Sequence, residues 1–322
     1  MAKRLLFLFL ISLIGVAAIQ LIAGMREKAA DASYPADGDL IEVDGVKVHV
    51  DVFGQGPDLV LIHGASGNMR EFTFSMVEKL SDRYRVILID RPGLGWSKQP
   101  EGYGALWETA GESPRVQARL MQAAADEVGI SDPLVFGHSF GGAVAMAWAQ
   151  EFPDTAGLIM VSAVSHEWPG ELNWLHRWNA SLLGGALFVP LVSAFVPKWY
   201  VEQTVGEIFA PVSPPEGYME HVGPGLTLRR SAQRANSRQV ISLRPHIVEM
   251  QKTYPDLNLP IEIIHGDADT IVPLDVHSVP LSQRVKTANL VVLEGVGHMP
   301  QHEAEADVIK AIDRAAVRAG LR

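Results

Sequence analysis

A serine between two glycines is the residue of this sequence whose surroundings most clearly point to reactivity. Residues 137–141 have the sequence GHSFG, directly after an apolar segment at 133–136 and directly before a segment with helical character. Glycines on both sides permit a sharp strand-to-helix turn, which raises the hydroxyl of Ser139 above the sheet. The free amides at the start of such a helix point to the same place, so the N–H of Phe140 is a predicted donor to an oxyanion.

A serine hydroxyl is a weak nucleophile until a base removes its proton. Among the 11 histidines, His298 is the predicted base, because it ends the glycine-rich sequence GVGH just after an apolar strand at 290–293. Ligands collect at this carboxyl edge of open α/β sheets. His302 is the competing candidate, and we expect it to begin the last helix or to support the loop. His138 is expected to point away from the reacting face of the turn.

An imidazole base needs a carboxylate to hold its tautomer and to stabilise the imidazolium. The apolar strand at 261–264 leads into residues 265–273, HGDADTIVP, which contain two aspartates. Asp269 is the predicted acid. Asp267 stands next to a glycine and is expected to form a turn.

A second oxyanion donor is predicted in the loop that follows the apolar strand at 59–62. Residues 63–67 have the sequence HGASG, whose glycines let backbone amides approach a ligand. The N–H of Ala65 is the predicted donor.

These motifs lie at the ends of short apolar segments that alternate with helical ones. Strands are predicted at 46–52, 59–62, 86–89, 133–136, 158–161, 261–264 and 290–293, and helices at 70–80, 114–128, 140–151 and 303–319. The alternation predicts an α/β fold with a mostly parallel central sheet and helices on both faces. It is interrupted at 165–259, which is interpreted as an inserted cap rich in tryptophan.

Composition narrows the classes of protein and of site. With 322 residues, 48% hydrophobic and 20% charged, the chain is neither disordered nor fibrous. Its net charge of −10 argues against electrostatic binding to the phosphates of nucleic acid. The absence of cysteine excludes disulfides, thiolate nucleophiles and cysteine-ligated metals, so a site without metal or cofactor is expected.

The N-terminus carries an uncharged apolar segment of membrane length. The segment extends from Leu5 to Met25 after Lys3 and Arg4, and its 21 residues would span roughly 30 Å as a helix. An anchor at 1–25, a tether at 26–38 and a catalytic domain outside the cytoplasm are predicted. The alternative is a signal peptide cleaved after the A-x-A sequence at 30–32, which would make the protein secreted.

Together the motifs resemble the α/β-hydrolase fold superfamily over about residues 39–319. The matches are HG at 63–64, DRPGLG at 90–95 with Ser97, the serine turn, the acid loop at 266–269 and GH at 297–298. The resemblance implies a triad in the order Ser139, Asp269, His298. It also implies a core at 39–164 and 260–322, a helical cap at 165–259, and structural roles for Asp90 and Arg91.

The predicted activity is hydrolysis of a hydrophobic carboxylic ester through an acyl-enzyme, esterase- or lipase-like. Haloalkane dehalogenases and epoxide hydrolases of similar layout use an aspartate where this chain has Ser139. In the cap, Trp168, Trp174 and Trp178 are predicted to contact substrate. The alternatives are a C–C bond hydrolase of ring-fission diketones, a perhydrolase or haloperoxidase, and a non-catalytic membrane-tethered binding module.

Five cap arginines leave the charge of the substrate open. They are Arg229, Arg230, Arg234, Arg238 and Arg244. They could face an anionic substrate, but solvated surface is their expected role.

Overall fold

A computed structural model describes all 322 residues, and its centre is a sheet of eight strands. The strands are β1 Asp39–Val43, β2 Val46–Phe53, β3 Asp58–Ile62, β4 Arg85–Ile89, β5 Leu134–His138, β6 Gly157–Val161, β7 Ile261–Gly266 and β8 Ala288–Leu293. Their order in the sheet is β1-β2-β4-β3-β5-β6-β7-β8. Strand β2 is antiparallel to both of its neighbours, and the other pairs are parallel. The predicted mostly parallel sheet is confirmed.

Helices cover both faces of this sheet. In chain order they are α1 Ala2–Ser33, α2 Arg70–Thr73, α3 Met76–Leu80, α4 Pro114–Glu127, α5 Phe140–Glu151, α6 Trp174–Ala180, α7 Val189–Phe195, α8 Lys198–Phe209, α9 Tyr218–Val222, α10 Pro224–Thr227, α11 Arg230–Met250, α12 Ser278–Arg284, α13 Pro300–Glu303 and α14 Glu305–Arg318. Alternate residues of a strand point to opposite faces. In the fully buried β3, Val60 therefore packs with α4 and α5, and Leu61 packs with α3 and α14.

Local sequence signals explain most of the helix bounds. Helix α4 begins after Ser113, whose Oγ accepts a hydrogen bond from Val116 N at 3.2 Å. The predicted helix at 70–80 is divided before Met76, because Ser75 has a non-helical φ of −155°; the hydroxyl of Ser75 donates to Glu305 at 2.6 Å. The last predicted helix, at 303–319, is divided at Ala304 between α13 and α14. Strand β1 was not predicted from the sequence.

The inserted segment contains helices α6 to α11 and no strand. A π-helical turn, Gly184–Phe188, precedes α7, and a 3₁₀ helix, Gln251–Asp256, follows α11. Helix α11 packs on α6 and also reaches the sheet, where Leu243 and Ile247 join the core beside α5. The cap is thereby tied to the core by apolar contacts.

Helix α1 is long and apolar enough to cross a membrane or to act as a signal sequence. It does not end at Met25, because its second half docks on the cap. Ala23 and Ala30 are buried there, and Glu27 forms an ion pair with Arg230 at 2.7 Å. The segment 26–38, for which a tether was expected, is helical up to Ser33 because these contacts hold it.

Candidate active site

Ser139 stands at a sharp turn between β5 and α5. Its backbone has φ of 53° and ψ of −120°, a conformation that residues with a Cβ rarely adopt. The flanking glycines are required by close packing. A Cβ at Gly137 would lie 2.4 Å from the carbonyl oxygen of Gly141, and a Cβ at Gly141 would lie 2.4 Å from that of Ile62. The strained turn therefore depends on both glycines.

Ser139, His298 and Asp269 form one chain of hydrogen bonds. Oγ of Ser139 lies 3.0 Å from Nε2 of His298, and Nδ1 of His298 lies 2.7 Å from Oδ2 of Asp269. All three side chains are buried. Since the carboxylate accepts a hydrogen bond from Nδ1–H, Nε2 is unprotonated and can accept the proton of the serine hydroxyl.

The electrostatic environment keeps this imidazole neutral and the carboxylate charged. Burial lowers the pKa of His298, and the hydrogen bond to Asp269 offsets this only in part. Burial alone would raise the pKa of Asp269, but hydrogen bonds from His265 and His298 hold it well below its usual range. Near neutral pH the imidazole is therefore unprotonated and able to act as a base.

The two aspartates of the acid loop have different positions. Asp269 is buried, and its Oδ1 accepts hydrogen bonds from Ile271 N and Val272 N, both at 2.9 Å. Asp267 is exposed, and its Oδ1 accepts from Gly295 N at 2.7 Å. The structure thus brings Asp269 to the imidazole and uses Asp267 to join two loops.

The two predicted oxyanion donors lie at the start of α5 and in the loop that follows β3. Phe140 is the first residue of α5, so its N–H has no partner one turn earlier in the helix. The N–H of Ala65 makes no hydrogen bond within the chain. The next residue, Ser66, has a φ of 59° and donates its N–H to Oδ1 of Asn236 at 2.7 Å. A cap residue therefore holds the loop that carries Ala65.

Arg91, for which the family resemblance implied a structural role, joins the two oxyanion segments. Its guanidinium donates to the carbonyl of Gly64 at 2.9 Å and lies 3.8 Å from the ring centre of Phe140. It also donates to Gln117 at 3.0 Å and to Gln239 at 2.6 Å. Burial lowers the pKa of Arg91 to about 9. A fully buried cation thereby connects the loop that carries Ala65, the serine turn and the cap.

A buried ion pair lies behind the serine turn and was not predicted. Nδ1 of His138 lies 3.2 Å from Oε1 of Glu71, and Nε2 of His138 donates to the backbone carbonyl of His298 at 2.9 Å. Burial alone would raise the pKa of Glu71, but the charge of His138 lowers it to about 2. The carboxylate in turn raises the pKa of His138 against the effect of burial. His138 therefore supports the loop of His298.

His302 lies in an apolar environment. Its ring is packed against those of Phe74, Phe209 and Tyr218, and burial lowers its pKa to about 4. Neither ring nitrogen has a hydrogen-bond partner. His302 thus supports the packing near α13, and His298 is the histidine that reaches the serine.

The cap residues differ from one another in exposure. Trp174 and Trp178 lie on α6 with 68% and 44% of their surface exposed, so the structure does not enclose them with the serine. Trp168 lies beneath the guanidinium of Arg244.

Two of the cap arginines are buried. Arg234 and Arg238 are 7% and 0% exposed, so the expectation of solvated surface is wrong for both. Backbone carbonyls of the loop at 103–106 bind them instead.

Comparisons with known proteins agree with this architecture. The profile of the Alpha/beta hydrolase family matches residues 59–311. A pimeloyl-[acyl-carrier protein] methyl ester esterase of Xanthomonas oryzae pv. oryzae is 33% identical over 274 residues, covering 83% of this chain and 98% of the esterase. Lipase 3 of Moraxella sp. is 25% identical over 277 residues, covering 83% of this chain and 79% of the lipase. The crystal structure of an alpha/beta hydrolase fold protein from Burkholderia ambifaria has a TM-score of 0.66 and 26% identity, covering 86% of this chain and 98% of that protein.

Proposed function

The chain belongs to the alpha/beta hydrolase family, and on this premise we propose that it is a serine hydrolase of hydrophobic carboxylic esters. The observation that carries the proposal is the unbroken hydrogen-bond chain from Ser139 through His298 to Asp269. A carboxylate, an imidazole and a hydroxyl in this order are the groups that acyl transfer requires. The relatives support the ester class, because they include an esterase and a lipase by name.

The first half of the proposed reaction forms an acyl-enzyme. Oγ of Ser139 attacks the ester carbonyl while Nε2 of His298 takes the hydroxyl proton. The N–H groups of Ala65 and Phe140 bind the oxyanion, and removing one such donor costs about 10²–10³-fold in other hydrolases. When the tetrahedral intermediate collapses, His298 gives its proton to the leaving alcohol, and Asp269 stabilises the transient imidazolium.

The second half releases the acid. A water molecule donates its proton to Nε2 of His298 and attacks the acyl carbonyl, and the same two amides bind the new oxyanion. Collapse breaks the bond to Oγ, and the proton returns from His298 to Ser139. The enzyme is then restored, and no metal or cofactor is needed.

Other chemistries could use the same three side chains. They are C–C bond hydrolysis of ring-fission diketones and perhydrolysis or haloperoxidation, and no contact described above favours them over ester hydrolysis. The intact set of Ser139, Asp269 and His298 argues against a non-catalytic binding module.

Helix α1 is proposed to be an uncleaved membrane anchor with the catalytic domain outside the cytoplasm. Its residues 5–18 are exposed and almost wholly apolar, whereas Glu27 and Asp31 form ion pairs with Arg230 and Arg229 of the cap. Cleavage after Ala32 would remove both ion pairs, which supports retention of the helix. Full-length protein should therefore stay in the membrane pellet after a high-salt wash, and a mature N-terminus at Ser33 would establish a secreted form.

A single experiment on the full chain in neutral detergent tests the ester proposal. A fluorophosphonate should label Ser139, and p-nitrophenyl esters of increasing acyl length should be hydrolysed. Ser139→Ala should abolish both, and Ser282→Ala should change neither, because the hydroxyl of Ser282 bonds within its own helix α12, to the carbonyl of Val279. A folded chain that is neither labelled nor active on esters would refute the proposal, and preferential turnover of a ring-fission diketone in the same panel would favour C–C hydrolysis.

A further inference from the structure

A cavity that does not include the serine lies where α1 meets the cap. Its volume is about 350 Å³, within the ~300–1,000 Å³ typical of small-molecule sites. Its polar lining residues are Gln20, Gln99, Arg230, Ser231, Arg234 and Arg238. No carboxylate lines this cavity. It is therefore a positively charged site, which we call the arginine cavity.

The three arginines follow one another at intervals of four residues on α11. This spacing places them on one face of the helix, where like charges repel. Glu27 neutralises Arg230 through hydrogen bonds to Nε at 2.8 Å and Nη2 at 2.7 Å. Arg234 and Arg238 have no ion pair. The carboxylates of Glu108 and Glu112 lie close enough to act on the pKa of Arg238, but neither forms an ion pair with it. Glu108 accepts a hydrogen bond from Ala105 N, and Glu112 accepts from Gln99 and Gln239. Two buried cations thus stand side by side without a direct ion pair.

These two side chains also retain unused hydrogen-bond donors. Arg234 makes one hydrogen bond, from Nη2 to the carbonyl of Leu106 at 2.8 Å. Arg238 donates to the carbonyls of Ala105, at 2.8 Å, and Tyr103. The Nε atoms of both are buried without a partner, which is unfavourable for a charged group. Burial and the neighbouring Arg238 lower the pKa of Arg234 to about 10. A bound anion would relieve both the repulsion and the unmade hydrogen bonds.

We propose that the arginine cavity binds a phosphate group, carried by a lipid headgroup or by a soluble phosphate ester. Planar guanidinium groups present paired N–H donors that match two phosphate oxygens. Gln20, Gln99 and Ser231 add neutral hydrogen-bonding groups at the wall and mouth. Leu106, Ala186 and Pro190 add apolar surface to the lining of the cavity.

The position of the cavity along α1 favours the lipid headgroup. The exposed apolar stretch 5–18 has 14 residues, which rise about 21 Å and fall short of the ~30 Å hydrocarbon core. A membrane-spanning α1 therefore draws Gln20 and the cavity mouth toward the headgroup layer. Trp107, which follows the lining residue Leu106 in the sequence, is 78% exposed and is of the residue type enriched at that interface.

Binding by the full chain in neutral detergent tests the proposal. Isothermal titration calorimetry would use three probes: inorganic phosphate, glycerol 3-phosphate and dihexanoyl-phosphatidylglycerol. Wild type should bind at least one of them, and Arg234→Gln and Arg238→Gln should each weaken the affinity about tenfold or more. Arg244→Gln removes a charge from the same helix outside the cavity and should change the affinity less than twofold.

A second pair of variants avoids disturbing the buried arginines. Ser231 is exposed at the mouth, so both Ser231→Asp and Ser231→Asn should fold. Ser231→Asp should weaken phosphate binding about tenfold by repulsion, whereas Ser231→Asn, which keeps a neutral hydrogen-bonding side chain, should weaken it less than threefold. Binding of the phospholipid alone supports the headgroup as source, and binding of all three probes supports a soluble ester. A folded wild type that binds none, or equal affinities in the Ser231→Asp and Ser231→Asn proteins, would overturn the proposal.

Discussion

Nε2 of His265 lies 3.1 Å from Oδ2 of Asp269, the same oxygen that His298 contacts. Nε2 of His265 also faces the carbonyl of Val272 at 2.8 Å, and its Nδ1 lies 2.6 Å from Oγ of Ser278. Since both neighbours of Nε2 are acceptors, Nε2 carries the proton and Nδ1 accepts from the serine. His265 is thus a positioning residue that holds the carboxylate toward His298.

His265→Phe should lower turnover about tenfold with little change in KM, because a charge-assisted hydrogen bond that orients Asp269 is lost. His265→Gln should recover part of the rate, since its amide can donate to the same oxygen. Steady-state kinetics on a p-nitrophenyl ester measures both. Equal loss in the two variants would mean that His265 acts only through packing.

The two aspartates of the acid loop should differ sharply in their effect on turnover. Asp269→Asn should lower kcat roughly 10⁴-fold, because the amide no longer holds the required tautomer of His298. Asp267→Asn should change kcat less than threefold, since Asp267 is exposed and bonds to Gly295 N. The reverse result would assign the acid to Asp267.

The pH profile of the ester reaction should follow the protonation of His298. Burial lowers the pKa of His298 from its ordinary value of 6.5, so the unprotonated base is present at lower pH than for a free imidazole. On acidification kcat/KM should fall, with a midpoint below 6.5. The rate of fluorophosphonate labelling should show the same midpoint, and a midpoint above 6.5 would contradict the assignment.

Glu71→Gln should lower the free energy of unfolding by roughly 3–5 kcal/mol, the usual cost of removing one partner of a buried ion pair. The contribution of Glu71 to the free energy of unfolding is complete above pH 4.5 and is lost as the pH falls toward its pKa of about 2. That of His138, whose pKa is raised from 6.5, is complete below pH 6.5 and is lost as the pH rises through the raised value.

The difference in the free energy of unfolding between wild type and Glu71→Gln should therefore be largest between about pH 4.5 and 6.5. Urea unfolding monitored by tryptophan fluorescence at pH 5.5 and pH 8.5 measures it. Glu305→Gln, which breaks a partly exposed pair with Lys79, is the control and should cost less than about 1 kcal/mol. A difference for Glu71→Gln that grows toward alkaline pH would contradict the pairing.

The sequence predicted the sheet and proposed the acid, base and nucleophile because each rests on a local pattern. The glycines around Ser139 and those before His298 occupy tight turns at strand ends, so a few neighbouring residues reveal them. Glu71 gave no such signal. Its partner His138 is 67 residues away, and Gln301, which donates to it at 2.8 Å, is 230 residues away.

No sequence pattern indicated the burial of the cap arginines either. Arg234 and Arg238 have the spacing of a solvated helix face, yet backbone carbonyls at 103–106 enclose them. A loop that is folded over a helix by tertiary packing leaves no periodicity in either segment. The same holds for the docked part of α1, which is small and polar in sequence and fixed by partners near residue 230.

The order in which the strands enter the sheet has a consequence during synthesis of the chain. Ser139 follows β5, whereas its partner His298 is 159 residues further on, after β8. At about 5–20 residues per second, the ribosome needs roughly 8–30 s to cover that distance. Under the proposed mechanism, a nascent chain therefore carries the hydroxyl of Ser139 without its base for that interval. Fragments released early should be inert, and reactivity should begin only when the last strand joins the sheet.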